Sequence, residues 1–268
     1  MVQVETRVSE NSSDIHPHFT GPLSRQEFTR PGEYMHHDSL KSHLSQLLNS
    51  NLNKYSSRQV QVLAQTSRLV PSRVLVDGNE YFFKPWVSGR VHGYHALRSY
   101  GKILADTEAS PPLLADTRIC HLHGLVIDDD EDVLQHYPLD SDKENYPGTR
   151  LVGLLLTYIE NKGTLDDVAP WTDCTNEDRF RWSTQIRDSV KCLHKAGVVW
   201  GDAKPEDVLI DVKGDAWIID FGGSYTRGWV DEDKMETVEG DLQGVQRIVD
   251  WIHKWARKPV TRIDPVKR

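Results

Sequence analysis

The feature that most constrains the fold of this chain is a short apolar hairpin with acidic residues at both of its ends. Val208–Asp211 and residues 216–219 are β-rich runs joined by a Val-Lys-Gly turn, the pattern of two buried antiparallel strands. Asp202 lies in the loop before the first strand, and Asp220 directly follows the second. Because an antiparallel hairpin returns the chain to its starting edge, both acidic residues are expected at that edge.

The first half of the chain is predicted to be rich in β-structure. Residues 73–84 predict a hairpin, because two β-rich runs surround an Asp-Gly-Asn turn. Further strands are predicted at 118–127 and 151–159, with a polar surface loop between them. A helix is predicted over 92–104, and another over 37–52, where leucines recur at helical spacing.

The second half is predicted to be helical around the central hairpin. Residues 175–194 place Phe180, Ile186 and Leu193 on one face of a helix. Residues 241–255 form a second amphipathic pattern. A sheet-rich region followed by a helical region predicts an α+β protein with two lobes.

Composition and charge exclude several classes of protein. The 268 residues include 32 Lys+Arg against 40 Asp+Glu, and a net charge of -8 argues against a nucleic-acid partner. Three cysteines without CxxC spacing exclude a disulfide scaffold and a four-cysteine zinc site. No apolar stretch approaches the roughly 20 residues that span a bilayer, and no secretory signal is visible. We therefore expect no membrane association and an intracellular, cytoplasmic location.

The loops at the open edge of the hairpin carry the residue types that phosphoryl transfer requires. That reaction needs a carboxylate to orient the acceptor hydroxyl, carboxylates to fix Mg²⁺ on the phosphates, and a cation to hold the nucleotide. Asp202, Asp207 and Asp220 can supply the carboxylates. Lys204 can reach the transferring phosphate from the same loop as Asp202. These loops therefore carry candidate residues for phosphoryl transfer.

These residues resemble the motifs of the protein kinase family. Gly-Asp-Ala-Lys-Pro-Glu-Asp at 201–207 resembles the catalytic loop, and Asp-Phe-Gly at 220–222 matches the metal motif. Lys84, which ends the run Tyr-Phe-Phe-Lys, stands where the nucleotide lysine of the family's third strand belongs. The resemblance spans residues 57–255 and is greatest to the compact kinase-like proteins of fungi.

The resemblance implies a role for each of these residues, with ATP and Mg²⁺ as cofactors. Asp202 and Lys204 would be the catalytic residues, and Asp207 and Asp220 would hold the metal. Asp241 would begin the central helix and tie down the catalytic loop. The residues implied for nucleotide binding are Lys84, Thr157, Ile159 and Leu209.

Two departures from the family pattern concern the nucleotide. Before Lys84, glycine occurs only at three scattered positions, so no glycine-rich loop can close over the phosphates. Residues 86–104 contain no Asp or Glu, so the helical glutamate that pairs with the strand lysine is missing, and His95 or Ala96 stands near its place. Lys84 must therefore either find another partner, for which Asp220 is the candidate, or remain poorly oriented.

The sequence divides into a polar, partly disordered extension at 1–56, a kinase-like N-lobe at 57–157 and a truncated helical C-lobe at 158–268. The leading hypothesis is an ATP- and Mg²⁺-dependent phosphotransferase acting on a Ser/Thr hydroxyl of a protein. One alternative is a small-molecule kinase with a hydroxyl acceptor, favoured by the short segment after the metal motif. The other is a catalytically weak pseudokinase that acts as a binding module, favoured by the two departures and by Phe82, which would narrow the adenine pocket.

Overall fold

The computed structural model of the chain describes residues 47, 50–65, 71–86, 91–107, 109, 112–128, 150–170 and 174–256. Most of the helix predicted over 37–52 lies outside the described residues, although Leu47 is helical and buried. Within the described part of the chain, no helix combines the length and the apolar character needed to cross a bilayer.

A six-stranded sheet forms the first part of the molecule, with strand order β1-β5-β6-β4-β3-β2. Neighbouring strands are antiparallel except β1 and β5, which are parallel. The β3–β4 hairpin confirms the prediction from the Asp-Gly-Asn turn, because Asp77 and Gly78 both adopt positive φ, as a type I′ turn requires. The strands are β1 Asn53–Ser56, β2 Gln61–Gln65, β3 Pro71–Val76, β4 Asn79–Pro85, β5 Leu122–Asp128 and β6 Arg150–Thr157.

The edge strand β1 falls inside the segment that the sequence analysis assigned to the N-terminal extension. Its sequence, Asn-Lys-Tyr-Ser, has no β-rich pattern of its own. Instead, Asn53 to Ser56 pair with Gly124 to Ile127 of β5, and Tyr55 is buried on the sheet. The strand therefore depends on a non-local partner, which single-sequence patterns do not show.

Helix α1, Val91–Thr107, confirms the helix predicted over 92–104 and packs on one face of the sheet. Leu97, Tyr100 and Ile103, three residues apart, are almost completely buried in the main core together with Leu154 of β6. The next residue of β6, Leu155, is buried in a separate small cluster on the opposite face. Strand β6 has no polar side chain from Leu151 to Leu156, as expected for a strand that packs apolar side chains on both faces.

The described residues of the second part of the molecule form three α-helices and a three-stranded sheet of order β7-β8-β9. Helix α3 and helix α4 confirm the helices predicted over 175–194 and 241–255, and β8 and β9 confirm the central hairpin. Strand β7 and the short helix α2 have no counterpart in the predictions. The elements are β7 Asn161–Thr164, α2 Leu165–Val168, α3 Asn176–Lys195, β8 Val208–Asp211, β9 Ala216–Ile218 and α4 Val238–Ala256.

One face of α3 differs from the prediction. Phe180, predicted to lie on the buried face with Ile186, is 68% exposed. The neighbouring Arg179 is buried instead, and its guanidinium donates to the carbonyl oxygens of Ala169 at 2.7 Å and Ile252 at 3.5 Å. A buried guanidinium that satisfies two carbonyls fixes the rotation of the helix, which the apolar pattern alone did not predict.

The described residues form a mixed α/β protein in which a sheet-rich region precedes a helical region. The main core is continuous between these regions, because Tyr100 of α1 and Leu154 of β6 belong to the same buried cluster as Trp182 and Ile248 of the helical region. This architecture is compatible with a kinase-like fold.

Candidate active site

The loop between α3 and β8 brings three of the predicted site residues together. The ammonium of Lys204 lies 2.7 Å from Asp202 Oδ2 and 2.8 Å from Asp207 Oδ2. Both carboxylates are buried, and a short 3-10 turn at Pro205–Asp207 places Asp207 back against Lys204. A single cation therefore holds two buried carboxylates in place.

Burial and charge act on this cluster in opposite directions. Burial raises the pKa of Asp207 to about 7, although the Lys204 ammonium opposes that rise. Burial alone would lower the pKa of Lys204, but Asp207 and Asp202 outweigh it and raise that pKa above its usual value. Lys204 is therefore held as a cation, whereas Asp207 is close to neutralisation unless a further positive charge approaches it.

The turn that follows β9 carries Asp220, which pairs with Lys84 of β4. Their Nζ and Oδ1 atoms are 2.6 Å apart, and the two side chains are 32% and 44% exposed. Asp220 adopts a left-handed φ of 54°, and its Oδ1 also accepts the amide of Gly222 at 3.1 Å. Partial desolvation would raise the pKa of Asp220, but Lys84 outweighs it and holds that pKa below its usual value. The suggestion that Lys84 pairs with Asp220 is thus confirmed.

The two acidic loops are in direct contact through their backbones. The amide of Ile219 donates to the carbonyl oxygen of Asp207 at 3.0 Å. Gly201, at φ +104°, approaches the other loop so closely that a Cβ atom would lie 2.9 Å from Gly223 Cα. Only glycine fits both this φ and this approach. The charge of Asp220 contributes to the raised pKa of Asp207, so the two carboxylates interact.

Asp241, in the first turn of α4, anchors the loop between α3 and β8. Its carboxylate accepts the amides of Trp200 and Gly201, each at 2.8 Å, and lies 2.7 Å from His194 Nε2. The side chain is buried, so these partners satisfy a carboxylate that water cannot reach. This is the place in the structure that the resemblance implied for Asp241.

The metal-motif turn is fixed by packing against α1. Phe221 is completely buried and meets Tyr100 edge to face, with ring centroids 5.5 Å apart. The indole of Trp200, also completely buried, donates to the carbonyl oxygen of Ile219 at 3.0 Å. The turn that carries Asp220 is therefore attached to both the sheet-rich and the helical regions.

Thr226 contacts one of the predicted site residues, and the sequence analysis did not anticipate it. Its hydroxyl donates to Asp202 Oδ2 at 2.7 Å, from a loop 24 residues further along the chain. The other carboxylate oxygen, Oδ1, is buried and has no hydrogen-bond partner among the described residues. No local pattern could have indicated Thr226, because its contact with Asp202 depends entirely on the fold.

The residues implied for binding the nucleotide base do not form a cluster like that of the acidic residues, and their backbone groups already have hydrogen-bond partners. The amide of Thr157 already donates to the carbonyl oxygen of His121 at 3.0 Å, and its hydroxyl accepts the amide of His121 at 3.0 Å. The carbonyl oxygen of Ile159 accepts the side chain of Asn161 at 2.8 Å. The amide of Thr157 is therefore already engaged, and its carbonyl oxygen accepts the thiol of Cys120 at 3.9 Å.

Phe82 and Leu209 come from different sheets. Phe82 lies on the same face of β4 as Lys84 and is partly exposed, at 39%. Leu209 lies on β8, opposite Trp217 of β9, and is half-buried. The predicted adenine contacts of Leu209 and Ile159, and the predicted narrowing by Phe82, stay predictions.

Among the described residues, no three acidic, histidine or cysteine side chains are close enough together to bind a metal ion on their own. This does not conflict with Mg²⁺, which proteins commonly hold through one or two carboxylates together with phosphate oxygens. Asp207 and Asp220 are carboxylates of that kind, and they interact electrostatically across the two loops. The raised pKa of Asp207 marks a position where a cation would be favourable.

Comparison with known proteins gives short local matches to serine/threonine-protein kinases. Serine/threonine-protein kinase PKH3 of Eremothecium gossypii is 47% identical over 47 residues, 18% of this chain and 6% of that protein. PKH2 of Candida albicans is 39% identical over 70 residues, 26% of this chain and 6% of that protein. The cAMP-dependent protein kinase catalytic subunit PRKX of Mus musculus is 30% identical over 110 residues, 39% of this chain and 28% of that protein. No family model matches the chain.

The chain spans less than a third of the length of each of these relatives. The matches nevertheless point to one kind of protein, since each of the three relatives is named as a protein kinase. They support a protein kinase-like relationship, in agreement with the mixed α/β architecture.

Proposed function

We propose that this chain is a phosphotransferase with a two-lobed kinase-like fold, which uses ATP and Mg²⁺ to phosphorylate a Ser or Thr hydroxyl of a protein. The observation that carries the proposal is the unequal hydrogen bonding of the two carboxylate oxygens of Asp202. Its Oδ2 is held by Lys204 and Thr226, whereas its Oδ1 is buried and without a partner among the described residues.

A buried carboxylate oxygen without a hydrogen-bond donor costs free energy. Such an atom is typical of a site that a ligand completes, and the donor it needs is a hydroxyl or an amide. An acceptor hydroxyl placed against Oδ1 would be oriented by Asp202 and would pass its proton to that oxygen. Lys204 and Thr226 fix the carboxylate so that Oδ1 keeps this orientation.

The other charged groups fit the remaining needs of phosphoryl transfer. Lys84 would move from Asp220 to the phosphates of the nucleotide, because its side chain is partly exposed and its present partner is a carboxylate that Mg²⁺ would also engage. Asp207 and Asp220 would hold the metal. Bound Mg²⁺ supplies neutralisation of the charge on the transferred phosphoryl group.

A protein acceptor is favoured by the relatives, which are named as serine/threonine-protein kinases. Two alternatives keep specific support. The short segment from Asp220 to Asp241 favours a small-molecule acceptor, because it leaves little surface for peptide docking. The engagement of Lys84 with Asp220 and of the Thr157 amide with His121 favours a binding module without catalysis.

The test is transfer of labelled phosphate by the purified full chain, with γ-labelled ATP and Mg²⁺. One reaction contains a mixture of Ser- and Thr-containing peptides, and a parallel reaction contains a pool of small hydroxyl metabolites. Asp202→Asn keeps the size of the side chain but removes the general base, and we expect it to lower the rate by about 10²- to 10⁴-fold. Asp233→Asn, on an exposed turn, is the matched control.

Label in the peptides that disappears with Asp202→Asn and survives in the control would support a protein kinase. Label in the metabolite pool alone would support the small-molecule kinase. Transfer that is unchanged in Asp202→Asn would contradict the catalytic assignment, and the absence of transfer to both pools would favour the binding module.

A further inference from the structure

Helix α1 is attached to the loops of the candidate active site by Glu236, a residue that the sequence motifs do not indicate. His95 Nε2 lies 2.9 Å from Glu236 Oε2, an ion pair when the imidazole is protonated. Both side chains are mostly buried, at 12% and 24% exposed, so water screens the contact only weakly. Glu236 thus reaches α1 from the loop that precedes α4.

Glu236 also contacts both acidic loops. Its Oε1 accepts the amide of Ser224, just after the metal-motif turn, at 3.0 Å. Its own amide donates to the carbonyl oxygen of Gly201, in the catalytic loop, at 3.4 Å. Glu236 adopts φ +57°, a conformation that a non-glycine residue rarely keeps unless its contacts hold it there. One residue therefore joins α1, the metal-motif turn and the catalytic loop.

Gly223 shows how closely these groups pack. A Cβ atom at this position would lie 2.7 Å from Glu236 Oε1 and 2.8 Å from His95 Cγ, and the residue itself has φ +72°. The backbone of the metal-motif turn therefore lies directly against the His95–Glu236 contact, with no space for a side chain between them. A shift of either side chain would displace the turn that carries Asp220.

By the resemblance, position 95 or 96 is where the family has a glutamate that pairs with the strand lysine. Here the helix carries the imidazole, the carboxylate comes from the opposite loop, and Lys84 binds Asp220 instead. Helix α1 is therefore attached through His95 to the loop that carries Glu236, and not to Lys84 of strand β4. Arg98 and Lys102 of α1 line the same small cavity, of about 100 Å³.

We propose that Glu236 is a positioning residue that holds α1 and the metal-motif turn together through His95, and so keeps Asp220 placed for the Mg²⁺–nucleotide complex. The proposal rests on the proposed function for its nucleotide readout only.

The attachment itself is tested by hydrogen exchange of the full chain without nucleotide. Glu236→Gln keeps an acceptor for Ser224 but removes the charge that faces His95, and His95→Gln removes the pair from the other side. In both variants we expect amides in 91–107 and 221–226 to exchange about tenfold faster. Glu239→Gln, exposed in the first turn of α4, is the control and should exchange like the unmodified chain.

The effect on the site is tested by steady-state kinetics with MgATP. Glu236→Gln should raise the KM for MgATP about tenfold and leave kcat within about twofold, because Asp202 and Lys204 are untouched. The double variant His95→Gln/Glu236→Gln should match the single variants, since both changes break one contact.

The outcomes separate this proposal from the proposed function. Unchanged exchange in both single variants would overturn the attachment, whatever the chain does with nucleotide. The positioning role would be overturned if exchange became faster but the KM for MgATP did not change. It would also be overturned if the KM increases of the two single variants added up in the double variant. If the unmodified chain neither binds nor uses MgATP, the proposed function fails, and faster exchange would then support the attachment alone. Should Glu236→Gln not fold, His95→Gln carries the same test.

Discussion

The acidic loops at the open edge of the β8–β9 hairpin and the outer strands of the six-stranded sheet are stabilised in very different ways. The loops are held by buried groups, with Asp241 accepting two backbone amides and Phe221 completely enclosed. Strand β2, in contrast, is exposed along its whole length and pairs irregularly with β3, and Val62 is 41% exposed. The groups expected to handle phosphate and metal are thus fixed much more firmly than the strands expected to cover a nucleotide.

The proposed reaction has two requirements, the placement of the acidic groups and the covering of the phosphates, and they depend on different regions. The placement of Asp202, Lys204 and Asp207 depends on contacts within the helical region and does not require the outer strands. Covering the phosphates normally depends on a glycine-rich loop between such strands, and none is present in the sequence. We therefore expect the acidic loops to dominate both stability and phosphate chemistry.

The largest change in stability should come from Asp241→Ala. The substitution leaves the buried amides of Trp200 and Gly201 without an acceptor, so we expect the free energy of unfolding to fall by about 3 kcal/mol. Urea denaturation measures this value. Asp250→Ala, at an exposed position of the same helix, should stay within about 0.5 kcal/mol, and equal losses in the two variants would contradict the anchoring role.

Lys84→Met should separate nucleotide binding from stability. The Lys84–Asp220 pair is partly exposed, so its loss should change the free energy of unfolding by less than about 1 kcal/mol. The affinity for MgATP should fall about tenfold, because a charged contact to the phosphates is removed. Isothermal titration calorimetry measures the affinity, with the exposed turn variant Lys213→Met as control. An unchanged affinity in Lys84→Met would contradict the role of Lys84.

A smaller effect should appear in the pH dependence of the metal-free chain. Folding raises the pKa of Asp207 to about 7, so the folded state binds this proton more tightly than the unfolded chain does. The resulting stabilisation is complete below about pH 4 and is lost as the pH rises through about 7. Stability curves of the unmodified chain and Asp207→Asn should therefore diverge across this range. A difference independent of pH would show that Asp207 titrates normally.

The smallest effect is expected in the outer strands. Val62→Thr on β2 exchanges one β-branched side chain for another at an exposed position, so the free energy of unfolding should change by less than about 0.5 kcal/mol. Thermal denaturation suffices for this measurement. If Val62→Thr lowered the free energy of unfolding as much as Asp241→Ala, the two regions would not differ in how firmly they are held.

The sequence predicted what depends on local pattern and missed what depends on distant partners. The β3–β4 hairpin follows from its Asp-Gly-Asn turn, and α4 follows from its amphipathic period. The contacts of Thr226 with Asp202 and of Glu236 with His95 join residues far apart in the chain, without a motif at either end. Strand β1 was missed for the same reason, because its polar sequence becomes a strand only beside β5.

The most direct test of the central claim is the thermal stability of the chain at millimolar ATP, with Mg²⁺ and with a chelator in its place. Ligand binding to the folded state raises Tm by mass action, so we predict an increase that requires both ATP and Mg²⁺. The increase should be lost in Asp220→Asn and kept in the exposed control Asp233→Asn. An unmodified chain whose Tm does not respond to ATP and Mg²⁺, or an Asp220→Asn variant that responds equally, would contradict a metal-assisted nucleotide site at these loops.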